Sequence, residues 1–125
     1  MPGGGLRAHE SRGGHTLSKH VGWSDDALRQ RLRKGLDVAS TFTSRALAED
    51  AVSAALLVNR GKIGVILPRL AAGERLIIEQ KFNRAIGRSI QRGADGAVNA
   101  RRVRIVIERD GSHLGYRIVS AFPIP

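Results

Sequence analysis

The sequence has no cysteine. Disulfides, thiolate zinc sites and a cysteine nucleophile are therefore excluded together. Aromatic residues make up only 4% of the chain, too few for the broad base-stacking platform of an RRM or OB-fold. No run reaches the roughly 18 apolar residues that span a membrane. Glycines stand near the N-terminus where a signal peptide would carry its apolar core, so no export signal is expected in these residues. Phosphate-loop patterns are missing too, since "GVILPRLAAGER" is not a Walker sequence and no GxGxxG follows a strand. With no HExxH and no cysteine pair, His9, His15, His20, His113 and scattered carboxylates make a poor metal-ligand set, and neither metal nor cofactor is expected.

Acidic residues are scarce as well. Eleven Asp and Glu face 21 Lys and Arg, a net charge of +10 in 125 residues. A surplus of this size favours a polyanionic partner, above all nucleic acid, through phosphate neutralisation and counterion release. The alternatives are an inert solubility charge or an acidic protein partner. At 42% hydrophobic residues the chain can bury a core, and its length fits one domain. Residues 1–5 are glycine-rich and expected to be loose, leaving 6–125 as the domain.

The stretch "RGGHTLSKHVGWSDDALRQRL" holds two of the four histidines, His15 and His20, between a glycine pair and an arginine-rich helix. Ser24 is a helix N-cap, with Asp25 and Asp26 suited to the positive end of the dipole. Leu28, Leu32 and Leu36 recur every fourth residue as its apolar stripe. A second helix is expected from Thr43 or Ser44 to Val58, burying Ala46, Leu47, Ala51, Ala54, Ala55 and Val58, with Asn59 and Gly61 at its end. Ile63 to Leu70 reads as a short helix or a strand. Four strands follow: Glu74 to Phe82, Ala85 to Gln91, Arg102 to Arg109 and Tyr116 to Phe122. "RDGSHLG" is the hairpin turn joining the last two. Helices first and antiparallel strands second give an α+β fold, with N-terminal helices packed on antiparallel sheet.

Histidine titrates near neutrality and can take or give a proton there. On a continuous helix His15 and His20 would point about 140° apart, so one is a candidate acid–base group and the other a structural one. Arg31 adjoins Leu28 and Leu32 at the edge of the apolar stripe, where a guanidinium can face a cleft and grip a phosphate. Strand parity places Tyr116, Ile118, Ser120 and Phe122 on one face of the last strand. Ser120 is then either core filler or a hydroxyl aimed into a site.

"HESRGGHTLSKHVG", "LRQRL" and the late "SAFP" together resemble the ribonuclease A-like toxin domains at the C-termini of bacterial contact-dependent growth inhibition (CdiA) and related polymorphic toxin proteins. The resemblance runs from about Leu6 to Pro123. It implies a ribonuclease A-like fold without disulfides, metal-independent RNA cleavage, delivery into the cytoplasm of a neighbouring bacterium, and a cognate immunity protein, expected to be acidic. It also implies a catalytic histidine at His20 or His15, an arginine at Arg31, and a Thr and a Tyr on the last strand, where this chain has Ser120 and Phe122. Serine keeps the hydroxyl. Phenylalanine loses one, so either activity is weakened or another residue such as Tyr116 compensates, and Phe122 and Tyr116 are the candidate substrate-binding residues. The rivals are a non-catalytic basic nucleic-acid-binding module and a barnase-like ribonuclease toxin. An oligomer is not expected beyond a monomer or a toxin–immunity heterodimer.

Overall fold

A computed structural model describes residues 2–11, 13–14 and 20–125. Pro2–Gly4 forms a short 3-10 turn, followed by helix α1 (Leu6–Ser11). Then come α2 (Asp25–Arg33), strand β1 (Val38–Phe42), α3 (Arg45–Val58) and α4 (Arg60–Ile66), which runs into a 3-10 turn at Leu67–Arg69. The remaining chain supplies β2 (Arg75–Lys81), β3 (Gly87–Gln91), β4 (Val98–Ala100), β5 (Arg102–Arg109) and β6 (Tyr116–Ile124). Two three-stranded antiparallel sheets result, ordered β1-β3-β4 and β2-β5-β6. The α+β class holds. The order of elements does not, because β1 falls between the first two long helices.

Both long helices begin at the expected serines. Ser24 Oγ accepts from Ala27 N at 3.2 Å, and Ser44 Oγ accepts from Leu47 N at 3.1 Å. A helix as short as α2 is marginal on its own. Its stability comes from Leu28 and Leu32, buried with Ala39 and Ile90 in a small core against the β1-β3-β4 sheet, about 1.5–3 kcal/mol each. Leu36 lies beyond the end of α2 and is 41% exposed. The stripe is two leucines long, because the helix stops before Gly35. Asp25 is held by Arg88 of β3 through paired bonds of 3.1 and 3.0 Å. These bonds keep the Asp25 carboxyl below the usual carboxylate range.

The larger core lies between α3 and the β2-β5-β6 sheet. Alanines let α3 approach closely, burying Ala48, Ala51, Val52, Ala55 and Leu56. This face is rotated from the expected one: Ala51 and Ala55 belong to it, but Ala46 and Val58 are exposed. β5 follows strand parity as read, with Val103, Ile105 and Ile107 fully buried. The β5–β6 connection is a hairpin, with a longer loop than an Asp-Gly turn. Asp110 Oδ1 accepts from Ser112 N at 3.0 Å and from Ser112 Oγ at 2.6 Å, and Gly115 takes the left-handed backbone conformation (φ 92°).

β6 departs from simple parity. Ile118 pairs with Ile107, but Ser120 pairs with Val106, so Val119 is an extra residue in a bulge. Tyr116 and Ile118 therefore face the large core, and past the bulge that face is continued by Ala121 instead. Ser120 and Phe122 are turned to the opposite face. The expectation that Tyr116, Ile118, Ser120 and Phe122 share one face is corrected by this single inserted residue.

The N-terminal segment is latched onto β6. His9, 1% exposed, accepts from Ile118 N at Nδ1 (2.9 Å), and its ring stacks near Tyr116 at 6.4 Å. Gly14 N donates to His9 O at 3.0 Å. A side chain on Gly14 would meet the Ile118 carbonyl oxygen at 2.3 Å, which is why glycine stands there.

Candidate active site

Downstream of this latch the chain is fastened to β1. Gly22 N donates to Phe42 O and Trp23 N to Thr41 Oγ1, both at 3.0 Å, and Val21 bridges Phe42 in parallel. These bonds place His20 beside the far end of β6, with its ring 5.2 Å from that of Phe122. Arg31 comes from α2, aimed by the burial of Leu28 and Leu32 on either side of it. Its guanidinium lies over the Trp23 ring at 4.9 Å. A cation held over an aromatic face is attracted by the ring quadrupole, which favours this position for the guanidinium.

His20, Arg31, Val38, Ser40 and Phe122 line one depression of about 190 Å³, with Leu36 at its rim. The loop holding Leu36 is tied down by Arg92, which donates to Leu32 O at 2.7 Å and Leu36 O at 2.8 Å. A titratable imidazole and a fixed guanidinium in one hollow can move a proton and neutralise an anion in the same event. Ser120, 5% exposed, shares the Phe122 face of β6, and its Oγ has no hydrogen-bond partner among the described residues.

The structure thus brings together His20, Arg31 and Phe122, with Ser120 on the adjoining position of the same strand face. His15 lies outside the described residues. Tyr116 does not join them. At roughly 3.3 Å per strand residue it sits on the order of 20 Å from Phe122 along β6, on the other face, where burial pushes its phenol up. It cannot supply the hydroxyl missing at Phe122 in this conformation. His9 is structural and His113 is exposed in the β5–β6 loop. Among the described residues no three His, Asp or Glu side chains gather where they could hold a metal ion.

Sequence reasoning missed Trp23 and Ser40. The adjacency of the one tryptophan to a basic helix was a usable signal for the first. Ser40 had none, because β1 itself was not recognised.

No curated protein matches the sequence. A crystal structure of a CdiA-CT/CdiI complex from Y. kristensenii is similar, at 35% identity and a TM-score of 0.83, over 90% of this chain and 100% of that one. Residues 14–123 match the family described as the bacterial CdiA-CT RNAse A domain. That span contains both the His20–Arg31 segment and the Ser120–Phe122 strand end that meet at the depression, and the chain belongs to this family.

Proposed function

We propose that this domain is an endoribonuclease toxin that cleaves RNA by metal-independent attack of the ribose 2′-OH on the adjacent phosphate. It would act in the cytoplasm of a target bacterium after delivery as part of a larger effector, and a cognate immunity protein would restrain it in the producing cell. The observation that carries this reading is the meeting of His20 and Arg31 in one depression beside Phe122. The membership in a ribonuclease A-like toxin family supports it, as does the +10 charge.

His20 as a neutral imidazole takes the 2′-OH proton, and the freed oxygen attacks phosphorus. The phosphorus–O5′ bond breaks, O5′ takes a proton from solvent water while His20 releases the one it removed, and a 2′,3′-cyclic phosphate remains. Arg31 neutralises the charge that builds on the non-bridging oxygens, with its position favoured by Trp23 before substrate arrives. Ser120 is the candidate hydroxyl on β6; it is buried behind the depression and would reach the phosphate only once uncovered by substrate. His15 is the second candidate for the proton-transfer role. The domain assignment to residues 6–125 goes with this reading.

The test is incubation of the purified domain with total RNA in EDTA, beside a DNA control. RNA should be degraded to 2′,3′-cyclic phosphate or 3′-phosphate ends while DNA stays intact. A requirement for added divalent metal, equal cutting of DNA, or binding without cleavage would each overturn the mechanism.

A further inference from the structure

Val38, Ser40 and Phe122 line a second, larger depression of about 330 Å³ that adjoins the one holding His20. Its far wall carries Glu79 of β2 and Arg104 of β5, which stand directly opposite each other in the sheet. Arg104 Nη2 donates to Glu79 Oε1 at 3.1 Å, and both side chains stay about two-fifths exposed, at 41% and 43%. The Arg104 guanidinium also sits over the Phe122 ring at 6.0 Å, and its Nε has no hydrogen-bond partner among the described residues. A solvent-exposed ion pair contributes little to stability. This one instead sets a carboxylate and a guanidinium side by side on the wall of a hollow otherwise lined by Arg102, Ser40 and apolar side chains, with Arg102 hydrogen-bonded to the Pro125 carbonyl.

We propose that this depression is a nucleobase subsite and that it selects guanine for a nucleotide flanking the scissile phosphate. The inference rests on the ribonuclease reading and adds specificity to it. A carboxylate accepts best from two parallel N–H groups, one to each oxygen. Guanine alone among the four RNA bases presents such a pair, N1–H and N2–H, on its Watson–Crick edge. The neighbouring O6 accepts from a guanidinium, so the guanine edge complements Glu79 and Arg104 together. Adenine and cytosine offer one donor nitrogen beside an acceptor. Uracil offers one donor between two carbonyls. Each of these sets an acceptor lone pair against a Glu79 oxygen. Val38 and Phe122 supply apolar surface for the flat body of the base, and unpaired RNA exposes this edge for readout. Because Phe122 belongs to both depressions, a base seated in the larger one holds its own phosphodiester at His20 and Arg31.

Cut sites mapped in a random-sequence RNA should show guanine enriched at one position flanking the break. Glu79→Gln, which keeps the shape but replaces one acceptor oxygen with a donor, should lower the guanine-to-other ratio at least about fivefold, the scale of one bidentate base contact. A second measurement needs no catalysis: guanosine 3′-monophosphate should bind more tightly than its adenosine, cytidine and uridine counterparts, and Glu79→Gln should erase the difference. Guanine preference unchanged in Glu79→Gln, or equal binding of the four nucleotides, overturns the inference and leaves the ribonuclease reading standing. Selective binding of the guanosine nucleotide without RNA cleavage supports the subsite and overturns the ribonuclease reading.

Discussion

Gly14→Ala should destabilise the protein through one backbone contact. The added Cβ would lie 2.3 Å from Ile118 O and 3.1 Å from His9 O. Ordinary carbon–oxygen contacts begin near about 3.3 Å, so the segment and β6 must separate by roughly 1 Å. Neither side can yield by a rotamer change, because both are main chain. The same movement stretches the Gly14 N–His9 O and Ile118 N–His9 Nδ1 bonds. Overpacking of this kind costs about 1–3 kcal/mol. For a chain of this size, each kcal/mol lowers Tm by about 3–5 °C, which gives a fall of roughly 3–15 °C in thermal denaturation followed by circular dichroism. Gly64→Ala is the matched control. Gly64 lies inside α4, and a Cβ there meets nothing within 4 Å. Alanine should stabilise that helix by about 0.5–1 kcal/mol. If Gly14→Ala melts within 1 °C (about the assay's resolution) of the unmodified protein, or Gly64→Ala melts clearly below it, the latch argument is wrong.

His20→Ala and Arg31→Ala should each lower RNA cleavage at least about 10²-fold, the usual scale for a proton-transfer group or a charge stabiliser; full activity in either, measured by gel-based RNA decay, removes that residue from the mechanism. Acid titration should reveal the Asp25–Arg88 pair. The Asp25 carboxyl is held low chiefly by its hydrogen bonds to Arg88, so its contribution is complete above the ordinary carboxylate range and is lost as pH falls through the depressed value. The stability gap between the unmodified protein and Asp25→Asn should therefore close on acidification; a gap that widens refutes the assignment. The immunity protein should be acidic, given the +10 charge of its target. Raising salt should slow its association far more than its dissociation, and a salt-indifferent association rate in stopped-flow mixing rules out electrostatic steering.

How far the sequence carried depended on the kind of pattern each element offered. α2 and α3 announced themselves through Ser24 and Ser44, and β5 through strict alternation of Val103, Ile105 and Ile107 with charge. β1 was invisible for a physical reason. Its "VASTF" has no apolar alternation, since four consecutive residues are buried where the strand is covered on both sides. The polar Thr41 is tolerated there because its hydroxyl accepts from Trp23 N and donates to Phe42 O at 3.0 Å. Without β1, neither the second sheet nor Ser40 was accessible to sequence reasoning. The bulge at Val119 was equally hidden. No residue type marks it, and one extra residue reverses every later side chain. His20 and Arg31 were legible because acid–base and guanidinium chemistry belong to few residue types. The Glu79–Arg104 pair was not, since cross-strand register decides which charges become neighbours.

The latch of the N-terminal segment onto β6 has a consequence for when the domain becomes harmful. His20 and Arg31 belong to the first third of the chain, whereas Ser120 and Phe122 come from its final strand, and no covalent cross-link joins the two. A chain still being synthesised, or threaded end-first through a narrow channel, holds only part of the proposed site at any moment. Completion waits for β6 to dock against both the N-terminal segment and β5, a closure of large sequence separation and correspondingly slow. With no disulfide to reduce or reform, the whole domain can be drawn out as an extended chain and refold in a reducing compartment. If the proposed site and delivery route hold, activity waits on the arrival of β6, and an interrupted passage would deliver an inert fragment.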